Sequence, residues 1–331
     1  MADKTTMLNY VSAINSAYKE EMRRDERVIM FGEDLISMRG VFTDTRDIYE
    51  EFGADRIKDT PITEQAIVGM AMGAGMTGLR PIGFLMFASF VMAAFDQVFL
   101  RLGCNRQEWG YPGPLPVVIH IMVHTGGMGE DHEASPEALL LHCPGLKIVA
   151  PSTPYDAKGL MKTAIRDDEP VIFMSHNDLY FTEKQAIPDE EYLIPLGEAD
   201  VKREGEDITI VSYSTMVRKV LAAAEELSKE GINAEVVDLR SLVPMDIDTI
   251  VKSVKKTGRL LIVHESMKRG GVAGEIAFRF MEAAPDFMQT MKAPIKRVAG
   301  KNVALLRSRK VEPLLLPQIE DVVKEVKEMM A

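Results

Sequence analysis

The chain has 331 residues, 46% of them hydrophobic, which is long enough for two domains with separate cores. Its formal net charge is −11 and its Lys and Arg residues are dispersed, which argues against a nucleic-acid-binding scaffold. The two longest uncharged runs are shorter than the roughly 20 residues that a membrane span requires, and Arg80-Pro81 separates them. The composition therefore predicts a globular protein with no nucleic-acid partner and no membrane segment.

Two features predict a cytoplasmic location. The first residues, Met1 to Lys4, lack the basic and then apolar order of a signal peptide. Cys104 and Cys143 have no metal-ligand spacing and lie in apolar or aromatic surroundings, which is typical of free thiols in a reducing compartment.

Strands and helices are predicted to alternate through the first part of the chain. Apolar residues at helical spacing predict a helix from Met7 to Arg23, and Val28 to Phe31 is predicted to be a short buried strand with Glu33 in the loop that follows. This alternation is typical of a doubly wound, mostly parallel α/β sheet, in which ligands bind beyond the carboxyl ends of the strands. Further strands are predicted at Pro81 to Met86, Leu115 to Met122, Leu146 to Ala150 and Pro170 to Met174.

A charged stretch with two prolines, residues 186–206, is predicted to link two domains. Strands and helices alternate again beyond it, so a first domain at residues 1–185 is followed by a second, smaller α/β domain at residues 207–331. The predicted strands are Ile208 to Tyr213, Ala234 to Leu239 and Leu260 to Glu265, and the predicted helices are Met216 to Lys229, Asp246 to Lys255, Ala273 to Glu282 and Leu316 to Met330.

The segment from Asp59 to Glu64 runs directly into a glycine- and alanine-rich stretch that carries almost no charge. Asp59 or Thr60 can cap a helix with Pro61 in its first turn, so a helix is predicted to begin just before Glu64. The Glu64 carboxylate is then expected where little can solvate it. It is either a catalytic group or an acid that only complements the positive end of the helix dipole, worth roughly 0.3 to 1 kcal/mol.

Among the six histidines, His132 is singled out by the glycine-rich run Gly126-Gly127-Met128-Gly129 before it. Glycine allows the backbone to approach a ligand closely. The alternative is a loop histidine whose hydrogen bonds are made within the loop. The run does not fit a dinucleotide-binding fingerprint, and the sequence contains neither a phosphate-binding loop ending in Gly-Lys-Ser or Gly-Lys-Thr nor a Gly-x-Ser-x-Gly motif.

Blocks of sequence distributed along the whole chain carry a family resemblance. They are Asp59 to Glu64, Gly78 to Pro81, Phe95 to Gln97, Pro144 to Leu160, Ala164 to Asp167, Pro195 to Val201 and Lys256 to Arg259. Together they resemble the beta subunit of thiamine-diphosphate-dependent 2-oxo acid dehydrogenases. The resemblance implies a transketolase-like architecture, with a pyrimidine-binding domain at residues 1–185 and a transketolase C-terminal-like domain at residues 207–331.

The resemblance also implies partners and a cofactor. An α2β2 heterotetramer with a separate alpha subunit would share thiamine diphosphate, with its diphosphate bound through Mg²⁺ by the alpha subunit. The absence of a Gly-Asp-Gly motif from this chain agrees with that division. The implied reaction cleaves the carbon–carbon bond beside the carbonyl of a 2-oxo acid or an acyloin such as acetoin, and passes the acyl group to the lipoyl domain of an acyltransferase. A split transketolase-like subunit that transfers a ketol group and a non-catalytic structural subunit are the alternatives.

Residue by residue, the resemblance assigns the site. Glu64 matches the glutamate that hydrogen-bonds N1′ of the aminopyrimidine and so assists removal of the proton from C2 of the thiazolium. By position, Ile62, Met86 and Phe90 match residues that line the pyrimidine, although without the resemblance they would be assigned to the core. His132 matches a histidine on the substrate side of the cofactor.

A possible cation site and several departures complete the comparison with the family. Ala164, Ile165 and Asp167 match a segment that binds K⁺ in relatives, partly through backbone carbonyls. Phe84 stands where relatives commonly have glutamate, and His120 where arginine is common. Because a pocket built around one polar group rejects molecules that lack its partner, these exchanges leave the identity of the donor open.

Overall fold

The computed structural model describes residues 4–40 and 42–331. Residues 1–3, on which the signal-peptide prediction rests, lie outside the described residues. The chain divides into two compact units, which comprise residues 4–125 with 131–196, and residues 126–130 with 197–331.

The first unit is a parallel sheet with helices between its strands, and the predicted doubly wound α/β architecture is confirmed. Its main strands lie in the order β6-β7-β5-β4-β2-β3 and all these pairs are parallel, while β1 and β8 form a separate antiparallel pair. The strands are β1 (Thr5–Leu8), β2 (Val28–Gly32), β3 (Ile57–Asp59), β4 (Arg80–Leu85), β5 (Val118–Val123), β6 (Lys147–Val149), β7 (Val171–His176) and β8 (Gln185–Pro188). The helices are α1 (Tyr10–Arg24), α2 (Ile48–Phe52), α3 (Glu64–Met76), α4 (Asn105–Trp109), α5 (Glu130–Glu133), α6 (Glu137–Leu141), α7 (Pro154–Arg166) and α8 (Asn177–Tyr180), with a 3-10 helix at Ala88–Ala94 and a π-helix at Gln97–Gly103.

The strand order reverses direction at β2. The chain passes from β2 to β3 on one side, and then to β4 on the other side of β2. In such sheets a ligand crevice opens beyond the carboxyl ends of the two strands at the reversal. The residues after β2 and β4 therefore mark where this unit is expected to bind a ligand.

Helices α1 and α7 pack against each other and are joined by ion pairs. The Glu20 carboxylate accepts hydrogen bonds from the ammonium groups of Lys158 and Lys162, at 2.7 and 2.8 Å. Both lysines are almost fully buried. Because a buried ammonium group without a carboxylate is costly, this contact is expected to contribute to the stability of the unit.

The second unit is a smaller sheet with strands in the order β14-β13-β10-β11-β9, parallel except for the antiparallel pair of β11 and β9. The strands of this sheet are β9 (Asp200–Arg203), β10 (Ile208–Ser212), β11 (Ala234–Asp238), β13 (Leu260–Met267) and β14 (Lys296–Gly300), while the short strand β12 (Ser241–Val243) lies outside it. The helices are α9 (Met216–Lys229), α10 (Ile247–Thr257), α11 (Ala273–Ala283) and α12 (Ile319–Met330), with 3-10 helices at Pro285–Thr290 and Glu312–Leu314.

The start of the first helix differs from the prediction. Residues 5–8 form β1, and α1 begins only at Tyr10 because the Asn9 side chain accepts a hydrogen bond from the Ser12 N–H and caps the helix. Apolar periodicity cannot distinguish Met7 in this strand from the first turn of a helix. The stretch predicted as a linker, 186–206, contains β9 and most of β8.

The start of α3 also differs from the prediction in its capping. The helix begins at Glu64 itself with Thr63 as its N-cap, and no side chain makes a capping hydrogen bond. The Asp59 carboxylate instead accepts from the backbone N–H groups of Ile36 and Ser37, at 2.7 and 3.0 Å. Asp59 therefore fixes the loop after β2 rather than the end of α3.

Candidate functional site

Glu64 lies at the first position of α3, where the positive end of the helix dipole favours a carboxylate. Its side chain is half-buried within this chain. One face of the helix packs inward through Ile67, Val68 and Ala71, while Met70 on another face is 47% exposed. The helix therefore has a buried side that fixes it and an accessible side near the carboxylate.

Glu33 follows β2 at the reversal of strand order and is almost fully buried. Burial, followed by the charges of Glu64 and Asp34, raises the pKa of Glu33 to about 7, against a smaller opposing effect of the Thr63 N–H. Its Oε1 atom has no hydrogen-bond partner within residues 4–40 and 42–331. No role for Glu33 is predicted from the sequence alone, although an acid directly after a buried parallel strand is a recognisable signal.

His132 lies in α5 within a set of aromatic rings. Its ring centroid is 5.1 Å from that of Phe87 and 5.4 Å from that of Phe90, both with edge-to-face geometry. Its Nδ1 is 3.3 Å from Oδ2 of Asp131, and its side chain is 27% exposed. Ser89 donates a 2.7 Å hydrogen bond to the Asp131 carbonyl, which fixes the backbone beside the imidazole.

The residues predicted to line a pyrimidine lie on neighbouring elements. Met86 directly follows β4 and Phe90 lies in the 3-10 helix after it, and both pack partly buried against the core of the first unit. This 3-10 helix contacts α3, which begins with Glu64. Ile62, by contrast, is 77% exposed in the loop before α3. The structure thus brings Phe90 to His132 and brings its helix to α3, while Ile62 makes an accessible apolar surface.

The glycine run before His132 belongs to the second unit. Gly126, Gly127 and Gly129 have positive φ angles, a backbone conformation that residues with a Cβ atom rarely adopt. The Gly126 N–H donates to the Glu312 carboxylate at 3.0 Å, and the Gly127 N–H donates to the same carboxylate. The glycine residues therefore do let the backbone approach another group closely, and in this chain that group is the Glu312 carboxylate.

His120 is fully buried in the sheet. Its Nδ1 is 2.5 Å from the Tyr18 hydroxyl, its Nε2 is 2.8 Å from Ser175 Oγ, and its ring packs edge-on to Phe84 at 4.9 Å. Burial lowers the pKa of His120 to about 3, so the imidazole is neutral at physiological pH. Position 120 therefore carries no positive charge at physiological pH.

The predicted cation segment lies at the end of α7, where Ala164 and Ile165 occupy the last turn and Asp167 is the C-cap. The Arg80 guanidinium donates 3.0 Å hydrogen bonds to the carbonyls of Ile165 and Asp167. The Lys147 ammonium contacts the Asp167 carboxylate at 2.7 Å. The positively charged side chains of Arg80 and Lys147 therefore lie beside Ile165 and Asp167, two of the three residues predicted to bind K⁺.

Within residues 4–40 and 42–331, no group of three or more His, Cys, Asp or Glu side chains is arranged to hold a metal ion. In the same part of the chain, none of the helices combines the length and apolar character that crossing a bilayer requires.

Comparison with known proteins gives matches over both units. Residues 6–182 match the family described as transketolase, pyrimidine binding domain, and residues 197–322 match transketolase, C-terminal domain. The chain is 44% identical over 299 residues to the 2-oxoisovalerate dehydrogenase subunit beta of Bacillus subtilis, covering 90% of each chain. It is 42% identical over 327 residues to the pyruvate dehydrogenase E1 component subunit beta of the same organism, covering 98% of each chain.

A solved structure gives a match to the fold. It is described as a split gene transketolase, inactive beta4 tetramer, and it superposes with a TM-score of 0.78, covering 98% of each chain. At 24% sequence identity, this similarity supports the transketolase-like fold and nothing beyond it.

Proposed function

Because the chain belongs to the family of beta subunits of 2-oxo acid dehydrogenases, we propose that it acts with a separate alpha subunit as the first component of such a complex. The proposed reaction cleaves the carbon–carbon bond beside the carbonyl of a 2-oxo acid or an acyloin. The acyl group then passes to the lipoyl domain of an acyltransferase. The observation that carries the proposal is the placement of Glu64 as a half-buried carboxylate at the first residue of α3.

The residues of the first unit fit the pyrimidine end of thiamine diphosphate. Glu64 offers a half-buried carboxylate, and Glu33 has a buried carboxylate oxygen without a partner among the residues described. Met86 and Phe90 supply apolar surface on elements next to α3. When bound, thiamine diphosphate supplies the electron sink for the bond that breaks.

The chain's own residues would manage protons around that ring. Glu64 would share a proton with N1′ of the aminopyrimidine, which favours the imino form. Since its pKa is about 7, Glu33 carries a proton for part of the time at neutral pH and limits the negative charge beside Glu64. His132, with its imidazole beside the Asp131 carboxylate, would form a hydrogen bond with the substrate.

The accessible side of α3 is the surface on which the alpha subunit is proposed to pack. Apart from the backbone of α3 and the adjacent residues, a Cβ atom added at Gly73 would meet no heavy atom of the described chain within 4 Å, and one added at Gly69 would meet only the Gln97 side chain, at 3.5 Å. Glycine in a helix is unfavourable by roughly 1 kcal/mol against alanine, so open space around it is explained if another backbone packs there. In this proposal the alpha subunit covers this side, completes the burial of Glu64, and holds Mg²⁺ and the diphosphate.

A K⁺ site at the carbonyls of Ala164, Ile165 and Asp167 also belongs to the proposal. The carboxyl end of α7 is the negative end of a helix dipole, which favours cations. A carbonyl oxygen has two lone pairs, so the hydrogen bonds from Arg80 leave one acceptor position on each of two carbonyls. The cytoplasmic location stays a prediction from the sequence.

Ketol transfer and a non-catalytic role are less well supported. The relatives named as dehydrogenase subunits share 40–44% identity with nearly the whole chain, whereas the split transketolase structure shares 24%. Glu64 and His132 are both present, which does not favour loss of activity.

The test is to co-express the chain with its alpha subunit and follow reduction of an artificial electron acceptor. Turnover of a 2-oxo acid or acetoin should depend on thiamine diphosphate, and Glu64→Gln should lower kcat by about 100-fold or more. Glu183→Gln, at an exposed position, is the matched control and should retain full activity. A Glu64→Gln enzyme with unchanged turnover would remove the basis of the proposal.

A further inference from the structure

The glycine-rich loop before His132, residues 126–130, is joined by hydrogen bonds to residues 305–312, and both stretches belong to the second unit. We propose that Glu312 and Arg309 are positioning residues, which fix this loop and through it set the position of His132 for contact with the substrate. The inference rests on the proposed function and names further residues on which the donor step of that reaction depends. Local sequence patterns single out neither Glu312 nor Arg309.

The Glu312 carboxylate accepts hydrogen bonds from two consecutive N–H groups of the loop. Its Oε1 and Oε2 atoms are 3.0 and 3.1 Å from the Gly126 nitrogen, and Oε2 also accepts from the Gly127 N–H. Glu312 is almost fully buried. A buried carboxylate is costly unless donors face it, and hydrogen bonds to an ionised group are among the stronger ones in proteins. This contact is therefore expected to hold the start of the loop in one position.

The backbone that carries Glu312 is itself well fixed. Glu312 begins a short 3-10 helix, Glu312–Leu314. The N–H groups of Val311 and Glu312 both donate to the Ser308 carbonyl at 3.0 Å, and the Leu315 N–H donates to the Glu312 carbonyl at 2.8 Å. A side chain on a backbone held in this way varies little in position, as a positioning residue requires.

Three further hydrogen bonds connect the two stretches. The Arg309 Nε–H donates to the Gly126 carbonyl at 2.9 Å, so both the N–H and the carbonyl of Gly126 are engaged. The Leu305 N–H donates to Oε2 of Glu130 at 2.8 Å, and the Glu130 N–H donates to the Leu305 carbonyl at 3.1 Å. Glu130 is the first residue of α5, the single-turn helix that contains His132. The loop is therefore held at both ends, up to the residue at which that helix begins.

Gly127 leaves no room for a side chain between the loop and the residues that hold it. Its φ angle is +80°, and a Cβ atom added there would lie 2.4 Å from the Arg309 nitrogen and 2.9 Å from the Ser308 carbonyl carbon. Real Cβ atoms essentially never make contacts this short, so an alanine at this position would push the loop away from residues 308–309. Gly127→Ala therefore disturbs the loop without changing the Glu312 carboxylate.

The proposed reaction separates the role of Glu64 from that of His132. Glu64 assists removal of the C2 proton of the cofactor, whereas His132 forms a hydrogen bond with the donor. Residues that position only His132 should therefore affect turnover of the donor and leave exchange of the C2 proton unchanged. A residue with a merely structural role would lower both rates together.

The experiment replaces Glu312 in the enzyme reconstituted with its alpha subunit. The donor is whichever of pyruvate, 2-oxoisovalerate and acetoin the wild-type complex turns over fastest. Glu312→Ala removes both acceptor oxygens and should lower kcat/KM for that donor by about 10-fold or more, while the C2 proton of bound thiamine diphosphate exchanges within about twofold of the wild-type rate. Glu312→Gln keeps one acceptor oxygen and should give an intermediate kcat/KM. Glu206→Ala, at an exposed glutamate of the second unit, is the matched control and should change neither value.

Backbone hydrogen exchange gives a readout independent of turnover. In the complex without cofactor, mass spectrometry should show residues 126–130 exchanging about 10-fold faster in Glu312→Ala than in the wild type, with the strands of the second unit unchanged. Gly127→Ala should reproduce both the faster exchange and the lower kcat/KM. Each variant should unfold within about 2 °C of the wild type, which separates a displaced loop from a destabilised domain.

The results distinguish failure of the inference from failure of the proposed function. If Glu312→Ala keeps the wild-type kcat/KM, leaves hydrogen exchange of residues 126–130 unchanged, or lowers C2 proton exchange by the same factor as kcat/KM, then Glu312 is not a positioning residue while the proposed function stands. If the wild-type complex turns over none of the three donors, the proposed function is wrong and the inference is wrong with it.

Discussion

Replacing Glu33 with glutamine should stabilise the chain above neutral pH. Burial, with the charges of Glu64 and Asp34, raises the pKa of Glu33 from 4.5 to about 7. A carboxyl group whose pKa is higher in the folded than in the unfolded state binds more protons when folded. The wild-type chain therefore loses stability as the pH rises from about 4.5 to about 7, and the loss is complete above that window.

The size of the effect follows from the same change. Moving the pKa from 4.5 to about 7 corresponds to at most about 3 kcal/mol, since one pKa unit is 1.36 kcal/mol. Glu33→Gln has no ionisable group to bury, so its stability gain over the wild type should be small at pH 5 and should grow towards this limit at pH 8. Urea unfolding of both proteins between pH 5 and pH 8 measures the difference.

The exposed Glu183→Gln variant controls for the loss of one negative charge, and its stability should follow that of the wild type at every pH. The reasoning is refuted if the gain from Glu33→Gln is independent of pH, or if it is larger at pH 5 than at pH 8. A stability gain combined with lost turnover would identify Glu33 as a strained functional group.

Three further predictions test other parts of the structure. Burial alone would raise the pKa of Glu20, but the hydrogen bonds from two lysines of α7 lower it. Glu20→Gln should therefore reduce the free energy of unfolding in urea by about 2 kcal/mol at pH 7, and the difference from the wild type should shrink as the pH falls below about 4.5. An unchanged unfolding midpoint at pH 7 would contradict this prediction. Gly73→Leu should leave the isolated chain folded but block its assembly with the alpha subunit, as measured by size-exclusion chromatography. Gly274→Leu, at another helical glycine with open space around it, is the control and should assemble normally. Equal assembly of the two variants would show that α3 is not the interface. His120, with its pKa near 3, should show no titration by NMR between pH 5 and pH 8, and a midpoint in that range would disprove the buried neutral imidazole.

Local sequence signals predicted those elements whose buried residues repeat regularly. The helix predicted from Met216 to Lys229 is confirmed at those bounds, because its apolar face has a helical period and it lies between two predicted strands. By contrast, β1 pairs with β8, which lies about 180 residues further along the chain, and no local pattern reveals such a partner. Whether residues 5–8 belong to the strand or to the first helix is decided only by the capping hydrogen bond of Asn9, which the structure shows.

The candidate site was predictable only in part for a similar reason. Glu64 and His132 could be selected by their neighbours in sequence and by the family resemblance. Glu33 acquires its raised pKa only from a fold that buries it near Glu64. Charge and burial at these positions are products of tertiary structure, so periodicity and local composition do not report them.

The central claim is that Glu64 activates thiamine diphosphate bound between this chain and an alpha subunit. The most direct measurement is the rate at which the C2 proton of bound thiamine diphosphate exchanges with deuterium, followed by NMR after acid quench. The account predicts rapid exchange in the wild-type complex and a decrease of about 100-fold or more in Glu64→Gln with the cofactor still bound. Equal exchange rates in the two complexes would contradict it.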